Sequence, residues 1–175
     1  MESQSPFYGR FAITLHWLVA ACIVFVVIFA WAMDEDDAQS ATLMIHKSFG
    51  VTIFILACVR LAWRAGHPPP PLPKMNAFQR VAAKATHVTL YALIFLMPVT
   101  GYISVAARGR NTSFFGLFDL PMLAPLSRAL AHQMENLHGI GQYALYVLLA
   151  AHVGATVYHQ FVLKDGLFNR MWPRR

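Results

Sequence analysis

The sequence predicts an all-α integral membrane protein, a bundle of four transmembrane helices. Of its 175 residues, 57% are hydrophobic and 13% are charged, whereas an average soluble domain has about 45–50% apolar and about 25% charged residues. The hydrophobic residues concentrate in four runs, and the Lys and Arg residues concentrate on one side of the membrane that these runs define. This composition argues against both a disordered chain and a conventional water-soluble domain. Two cysteines exclude a disulfide framework.

The four spans are predicted at about residues 11–33, 43–63, 88–107 and 137–163 of a single membrane domain, residues 1–175. A helix rises about 1.5 Å per residue, so about 20 apolar residues cross the hydrocarbon core. The first run is too long for the apolar region of a signal peptide, and no A-x-A-like cleavage site follows it. The second span is weaker, because Lys47 and Arg60 lie near its ends. Pro98 and Gly101 predict a kink in the third.

The three connections differ in character. The first opens with the acidic run Asp34, Glu35, Asp36 and Asp37. The second contains the proline-rich stretch 67–73, which cannot be helical. The third, at residues 108–136, is expected to be a longer loop, and its aromatic segment 114–118 either lies in the membrane interface or packs on the protein.

The distribution of positive charge predicts the orientation of the chain. The side shared by both termini carries Arg10, Arg60, Arg64, Lys74, Arg80, Lys84, Lys164, Arg170, Arg174 and Arg175. The other side carries Lys47, Arg108, Arg110 and Arg128. The excess places both termini in the cytoplasm, with the acidic run 34–37 facing outward. Anionic lipid head groups are sufficient partners for the basic tail, and no nucleic acid is implied.

Histidines carry the chemical signal. Eight occur, most of them in or beside the spans, where ionisable residues are costly and indicate function. A single one could merely hydrogen-bond a neighbouring helix, but several at matched depths indicate more. His46 and His138 lie at the outer ends of the second and fourth spans. His152 follows His138 by about four turns on nearly the same face, which brings it to the inner depth of His16.

Two facing histidine pairs suit a flat cofactor with two axial ligands, and haem is the natural candidate. The sequence contains no Cys-x-x-Cys-His motif, so covalent attachment is excluded and the haem is expected to be b type. Gly50, Gly139 and Gly141 lie near the ligands, where a haem face needs neighbours without bulk. Zinc fits less well, because its sites gather four ligands around one point.

Short motifs along almost the whole chain point to one family. They are Leu15-His16-Trp17-Leu18, Ile45-His46-Lys47-Ser48-Phe49-Gly50, Val59-Arg60-Leu61, Pro73-Lys74, Met97-Pro98-Val99-Thr100-Gly101, Leu137-His138, Ala151-His152 and Met171-Trp172-Pro173-Arg174. In order and spacing they resemble the bacterial cytochrome b561 family, small four-helix di-haem proteins of the inner membrane. The resemblance implies one haem held by His16 and His152 towards the cytoplasm. It implies a second held by His46 and His138 towards the outside.

The resemblance also implies a function. Family members pass electrons between membrane quinone and a partner, and some, the superoxide oxidases, oxidise superoxide at the outer face and reduce ubiquinone. We therefore expect transfer between a periplasmic one-electron donor, superoxide or a redox protein, and the quinone pool. The alternatives are the cytochrome b subunit of a larger membrane dehydrogenase and, third, a non-redox membrane metal carrier lined by histidines.

Further candidate residues follow from these expectations. A quinone site is predicted near the inner haem, with Lys74, His159 and Thr14, although His159 could instead bond a haem propionate or have no special role. Arg108 and Arg110 are candidates for propionate or anion contacts. His87 is the rival ligand to His16 or His152. No role is assigned to His67 or His132, both placed in loops. The acidic run 34–37 opposes steering of superoxide, unless it is a solvated turn or docks a partner.

Overall fold

A computed structural model describes residues 7–33, 40–71 and 75–172. The described residues form four long helices: α1 (Arg10–Trp31), α2 (Ala41–Gly66), α3 (Ala77–Ala107) and α4 (Arg128–Tyr158), the last continued by a π-helical turn, His159–Leu163. Each is long and apolar enough to cross a membrane. The predicted all-α membrane fold is confirmed. The described residues also form a small antiparallel hairpin, β1 (Thr112–Phe114) and β2 (Phe118–Leu120), and a short 3-10 helix, Phe168–Arg170.

The helices pack as two pairs. α1 lies along α2 and α3 lies along α4, and the two pairs meet mainly through α2 and α3. A buried apolar cluster joins them, formed by Val19, Ile23, Ile53, Ala57 and Ile94. Apolar side chains such as Val24, Ile28 and Val147 are exposed on the outside of the bundle. An exterior this apolar suits lipid rather than water.

Two helices begin earlier than the predicted spans. α3 starts eleven residues before position 88, at a capping box in which Asn76 and Gln79 exchange hydrogen bonds of 2.8 and 3.1 Å. α4 starts at Arg128, after an N-cap at Ser127. The added turns are polar, so a search for apolar runs does not find them. The prediction that His132 lies in a loop was wrong, because it belongs to α4.

The aromatic segment 114–118 packs on the protein. Phe115 and Gly116 take left-handed φ angles of 50° and 72° in the three-residue connection between β1 and β2, where the Leu117 N–H donates to the Phe114 carbonyl at 2.9 Å. The N–H of Phe115 donates to the buried hydroxyl of Ser48 at 2.8 Å, and its ring meets that of Phe49 edge-on at 5.5 Å. The hairpin is therefore fixed to α2 just beyond His46. We call this end of the bundle the loop end.

The opposite end, the terminal end, holds the first and last described residues. After the π-helical turn the chain reverses at Lys164, which has a left-handed φ of 51°. The following segment crosses the start of α1, where the indole of Trp17 donates to the Met171 carbonyl at 2.7 Å. Buried Arg170 donates to the Pro71 carbonyl at 2.8 Å. The C-terminal segment thus ties α1 to the connection between α2 and α3.

Candidate cofactor-binding sites

At the loop end, His46 on α2 faces His138 on α4. Their ring centres are 6.2 Å apart and the ring planes cross at 70°. Metal–imidazole nitrogen bonds are about 2 Å long, so one metal ion bonded to two opposed imidazoles separates the ring centres by about 6 Å. The structure therefore brings together the predicted outer pair at a spacing that fits one metal ion between the rings.

The protein fixes the tautomer of both rings in this loop-end pair. Nδ1 of His46 lies 2.9 Å from the Val26 carbonyl, and Nδ1 of His138 lies 3.0 Å from the Met97 carbonyl. A carbonyl only accepts, so Nδ1 carries the hydrogen in each ring and Nε2 keeps its lone pair. A histidine that ligates a metal is usually held in this way through its other ring nitrogen. Both rings thus have the tautomer in which Nε2 could bind a metal ion.

The backbone of α3 makes room for His138. A Cβ on Gly101 would come within 3.1 Å of the ring carbon Cε1, so the absence of a side chain lets the ring lie against the helix. The hydroxyl of Thr100 lies 3.2 Å from Nδ1 and also bonds the Leu96 carbonyl at 2.9 Å. The sequence predicted only a kink at Gly101, whereas the structure shows that this glycine also makes room for the His138 ring.

A partly open cavity lies beside the loop-end pair. Its walls are mostly apolar and include Val26, Gly50, Ile53, Leu93, Met97 and Leu145. Nothing lies within 4 Å of a Cβ built on Gly50, in line with the small residue expected there. A Cβ on Gly141 would instead meet the Met97 sulfur at 2.6 Å, so Gly141 serves helix packing. The cavity suits an apolar, flat group between the two imidazoles.

The terminal end brings three histidines together. His16 on α1 and His152 on α4 have ring centres 6.4 Å apart at 70°, nearly the geometry of the loop-end pair. His87 on α3 lies 5.3 Å from His152 and donates Nδ1–H to the Ala83 carbonyl at 2.6 Å. The predicted inner pair is thus adjacent, and so is its predicted rival. A metal ion between two imidazoles needs ring centres about 6 Å apart. The 6.4 Å between the rings of His16 and His152 therefore fits better than the 5.3 Å between those of His87 and His152.

Among the described residues, His16 at the terminal end lacks a backbone contact like those that hold the loop-end rings. Nδ1 of His16 is buried and has no hydrogen-bond partner among the described residues. Buried polar atoms are nearly always paired, and an unpaired one costs about 1–3 kcal/mol. Across the described ranges, no three His, Cys, Asp or Glu side chains are grouped to hold a metal ion. The arrangement at both ends is one of facing pairs, as two axial ligands require.

The predicted quinone residues have different outcomes. His159 is buried and donates Nδ1–H to Asp165 at 2.5 Å, a contact that the sequence did not reveal. Desolvation raises the pKa of Asp165, but hydrogen bonds from His159 and from the Leu167 N–H outweigh it and lower the pKa overall. Thr14 is exposed, and its hydroxyl makes no hydrogen bond to the described residues. Lys74 lies outside the described residues, as does the acidic run 34–37.

The candidate anion residues line an open cleft at the loop end. Arg108, Arg110 and Arg128 surround it with His132 and Glu135. Arg108 forms an ion pair with Glu135, so part of its charge is neutralised, which the sequence did not indicate. The remaining guanidinium groups still make the cleft basic, and a basic cleft concentrates anions. We call these five residues the basic cleft.

The chain is similar to known proteins along almost its whole length. The family model for prokaryotic cytochrome b561 matches residues 8–174. Two Escherichia coli K12 proteins, cytochrome b561 homologs 2 and 1, are 33% and 30% identical, with 94% and 96% of this chain and 90% and 98% of their own length aligned. A Yersinia pestis protein named a probable superoxide oxidase, CybB, is 29% identical over 96% of this chain and 97% of its own.

Proposed function

The chain belongs to the prokaryotic cytochrome b561 family, and from that premise we propose a di-haem cytochrome that moves electrons from a donor at the loop end to ubiquinone at the terminal end. It is a multi-pass protein of the inner membrane. The observation that carries the proposal is the facing imidazole pair at each end, with ring centres 6.2 and 6.4 Å apart.

The chain's own residues supply ligation and shielding. His46 with His138, and His16 with His152, would hold the two irons from opposite sides. Haem b, when bound, supplies one-electron redox chemistry at its iron. The Val26 and Met97 carbonyls keep the loop-end imidazoles in the ligating tautomer. The apolar cavity walls exclude water from that site.

We orient the terminal end towards the cytoplasm on the excess of Lys and Arg there. The loop end then faces the periplasm with the basic cleft exposed. That charge suits an anionic one-electron donor, and superoxide is such a donor. The similarity to a probable superoxide oxidase supports the same choice. Arg108 and Arg110 are proposed to attract the anion or to contact a haem propionate.

The proposed reaction is balanced as follows. Two superoxide anions each lose one electron and become dioxygen, and one ubiquinone takes both electrons and two protons to become ubiquinol. His159 is proposed as the residue that relays a proton from the cytoplasm, because Asp165 accepts the Nδ1–H of its buried ring and leaves Nε2 as the nitrogen that takes up a proton and passes it to the quinone. Lys74 and Thr14 remain the proposed contacts of the quinone oxygens.

The test uses the full-length protein in liposomes that contain ubiquinone. Superoxide is generated outside, and ubiquinol formation and haem absorbance are followed together. We expect superoxide-dependent ubiquinol formation that slows as salt is added, because salt screens steering by the basic cleft. R110Q should slow the superoxide step, whereas dithionite should still reduce both haems as in the unaltered protein.

Two outcomes would contradict the proposal. If superoxide does not reduce the haem even at low salt, superoxide is excluded as the donor. Stable co-purification with a peripheral dehydrogenase would then show that the protein is a cytochrome b subunit of a larger complex. Folded protein that binds no haem would contradict the redox function altogether.

A further inference from the structure

Two arginines and a tyrosine form a cluster at the terminal end. Arg60 and Arg64 lie on consecutive turns of α2, and Tyr91 lies on α3 opposite them. The guanidinium carbons are 5.3 and 5.7 Å from the centre of the tyrosine ring. These distances are typical of cation–π contacts. We call the three residues the arginine–tyrosine cluster.

No carboxylate among the described residues balances the positive charge of this cluster. Within the described ranges, neither Arg60 nor Arg64 forms an ion pair with a carboxylate. Arg60 is half-buried in a helix that is apolar enough to span the membrane. Charged side chains at such positions are almost always paired, because an unpaired charge is costly away from water. A negatively charged partner is therefore missing from the cluster.

The tyrosine indicates the same missing partner. The Tyr91 hydroxyl is buried and has no hydrogen-bond partner among the described residues. Buried tyrosine hydroxyls usually find one, and this hydroxyl can donate to an anionic oxygen. The cluster thus offers two guanidinium groups and a hydroxyl, all of them donors. A carboxylate or phosphate oxygen would satisfy the hydroxyl and balance the charge.

The cluster lies beside the terminal-end histidines. Arg60 is close enough to interact electrostatically with both His16 and His152. His87, one turn before Tyr91 on α3, lies 5.3 Å from His152. A cofactor held by His16 and His152 would therefore have Arg60 as a neighbour, and the cluster could supply hydrogen-bond donors to an acidic side chain of that cofactor.

We propose that Arg60, Arg64 and Tyr91 bind the carboxylate side chain, a propionate, of the terminal-end haem. The inference rests on the proposed function and extends it to three positioning residues. Guanidinium groups suit this role, because hydrogen bonds between ionised partners are about twice as strong as neutral ones. The phosphate of an anionic lipid has the same chemistry, so the experiment separates the two sources.

The test measures release of haem from the full-length protein in lipid nanodiscs to an excess of apomyoglobin. The protein is reconstituted with haem or with its dimethyl ester, in which both carboxylates are blocked. Arg60→Gln and Tyr91→Phe are compared with Lys84→Gln, which removes an exposed charge from α3. The loop-end haem of the same molecule is the internal control for folding, and His138→Ala isolates the terminal-end signal.

We expect Arg60→Gln to accelerate release of the terminal-end haem about tenfold, as for loss of a charge-assisted hydrogen bond. Tyr91→Phe should accelerate it less, and Lys84→Gln should leave it unchanged. The dimethyl ester should dissociate from the unaltered protein as fast as haem dissociates from the Arg60→Gln protein. With the ester bound, Arg60→Gln should not accelerate release further.

Other results would overturn the inference. An Arg60→Gln effect of equal size with haem and with its ester would show that no carboxylate is bound. An effect that needs anionic lipid and ignores esterification would assign the cluster to a lipid phosphate. If the unaltered protein binds two haems and Arg60→Gln does not change the rate of haem release, only this inference is contradicted. If the protein binds only the loop-end haem, the two-haem proposal is contradicted as well.

Discussion

The loop-end and terminal-end histidine sites have nearly the same spacing between rings but different surroundings. At the loop end, carbonyls of neighbouring helices hold Nδ1 of both His46 and His138. At the terminal end, Nδ1 of His16 has no partner among the described residues, and His152 lies near two other histidines. The comparison teaches that backbone carbonyls fix both imidazoles at the loop end, whereas among the described residues no such contact fixes His16 at the terminal end.

The two sites also differ in polarity. The loop-end pair borders a cavity with mainly apolar walls. The terminal end adds Arg60, which has no carboxylate partner among the described residues, and the pair of buried His159 with exposed Asp165. Polar groups of this kind are needed where an anion is held or a proton is moved. The difference therefore matches the proposed division of labour between electron entry and quinone reduction.

The largest effect should come from removing a loop-end ligand. His138→Ala should lower the haem content from two to one per chain, because no further histidine lines the described cavity. Pyridine haemochrome analysis of purified protein measures this directly. His67→Ala, which removes an exposed histidine that stacks on Trp63, should keep both haems. Retention of two haems in His138→Ala would contradict the assignment of the loop-end pair.

Replacing a terminal-end ligand by alanine should lower the haem content less. His16→Ala should give a haem content between one and two per chain, because His87 lies 5.3 Å from His152, its Nδ1 rather than its Nε2 contacts the Ala83 carbonyl, and it is near enough to replace the lost ligand. The double substitution His16→Ala with His87→Ala should give one. Equal losses in the single and double variants would show that His87 is no substitute and would weaken the contrast between the sites.

A smaller effect is expected at Gly101. A methyl group there would press on the His138 ring at 3.1 Å, and overpacking of this kind costs about 1–3 kcal/mol. Gly101→Ala should therefore weaken binding of the loop-end haem by about 5- to 150-fold. Titration of haem-free protein measures the affinity. The control is Gly139→Ala, because nothing lies within 4 Å of its added methyl group, and equal affinities in both variants would refute the argument.

The smallest effect concerns Asp165 and pH. Its folded pKa is lowered, so the interaction stabilises the terminal end at pH above the usual carboxyl value of about 4 and is lost as pH falls through the folded pKa. Hydrogen exchange of residues 160–170, corrected for intrinsic rates, should rise in acid. In the Asp165→Asn variant, residues 160–170 should exchange fast at every pH. In the Asp119→Asn variant, which alters the hairpin, they should exchange as in the unaltered protein. A protected Asp165→Asn segment at neutral pH would contradict this role.

Much of the fold could be predicted, because bilayer thickness constrains the length of apolar runs. The helix starts at Ala77 and Arg128 could not be found by that criterion, since the added turns are polar. The capping residues Asn76 and Ser127 were a usable signal for them. The hairpin depends on the contact between Phe115 and Ser48, which joins segments far apart in sequence.

The histidine pairs could be predicted from their depths, and the structure places both together. What holds them could not, because the Val26 and Met97 carbonyls carry no sequence signal. Two acidic partners were missed for a related reason, Asp165 for His159 and Glu135 for Arg108. Asp165 reaches His159 because the chain turns at Lys164, which has a left-handed φ. Glu135 is placed near Arg108 because α4 starts early, at Arg128.

The most direct test of the central claim is the haem content and ferric electron paramagnetic resonance spectrum of the unaltered protein, purified in detergent after expression with ample haem. The account predicts two b-type haems per chain, both low-spin, because each iron has an imidazole on either side. One haem per chain, or a high-spin signal from either site, would contradict the claim that both facing pairs are axial ligand sets.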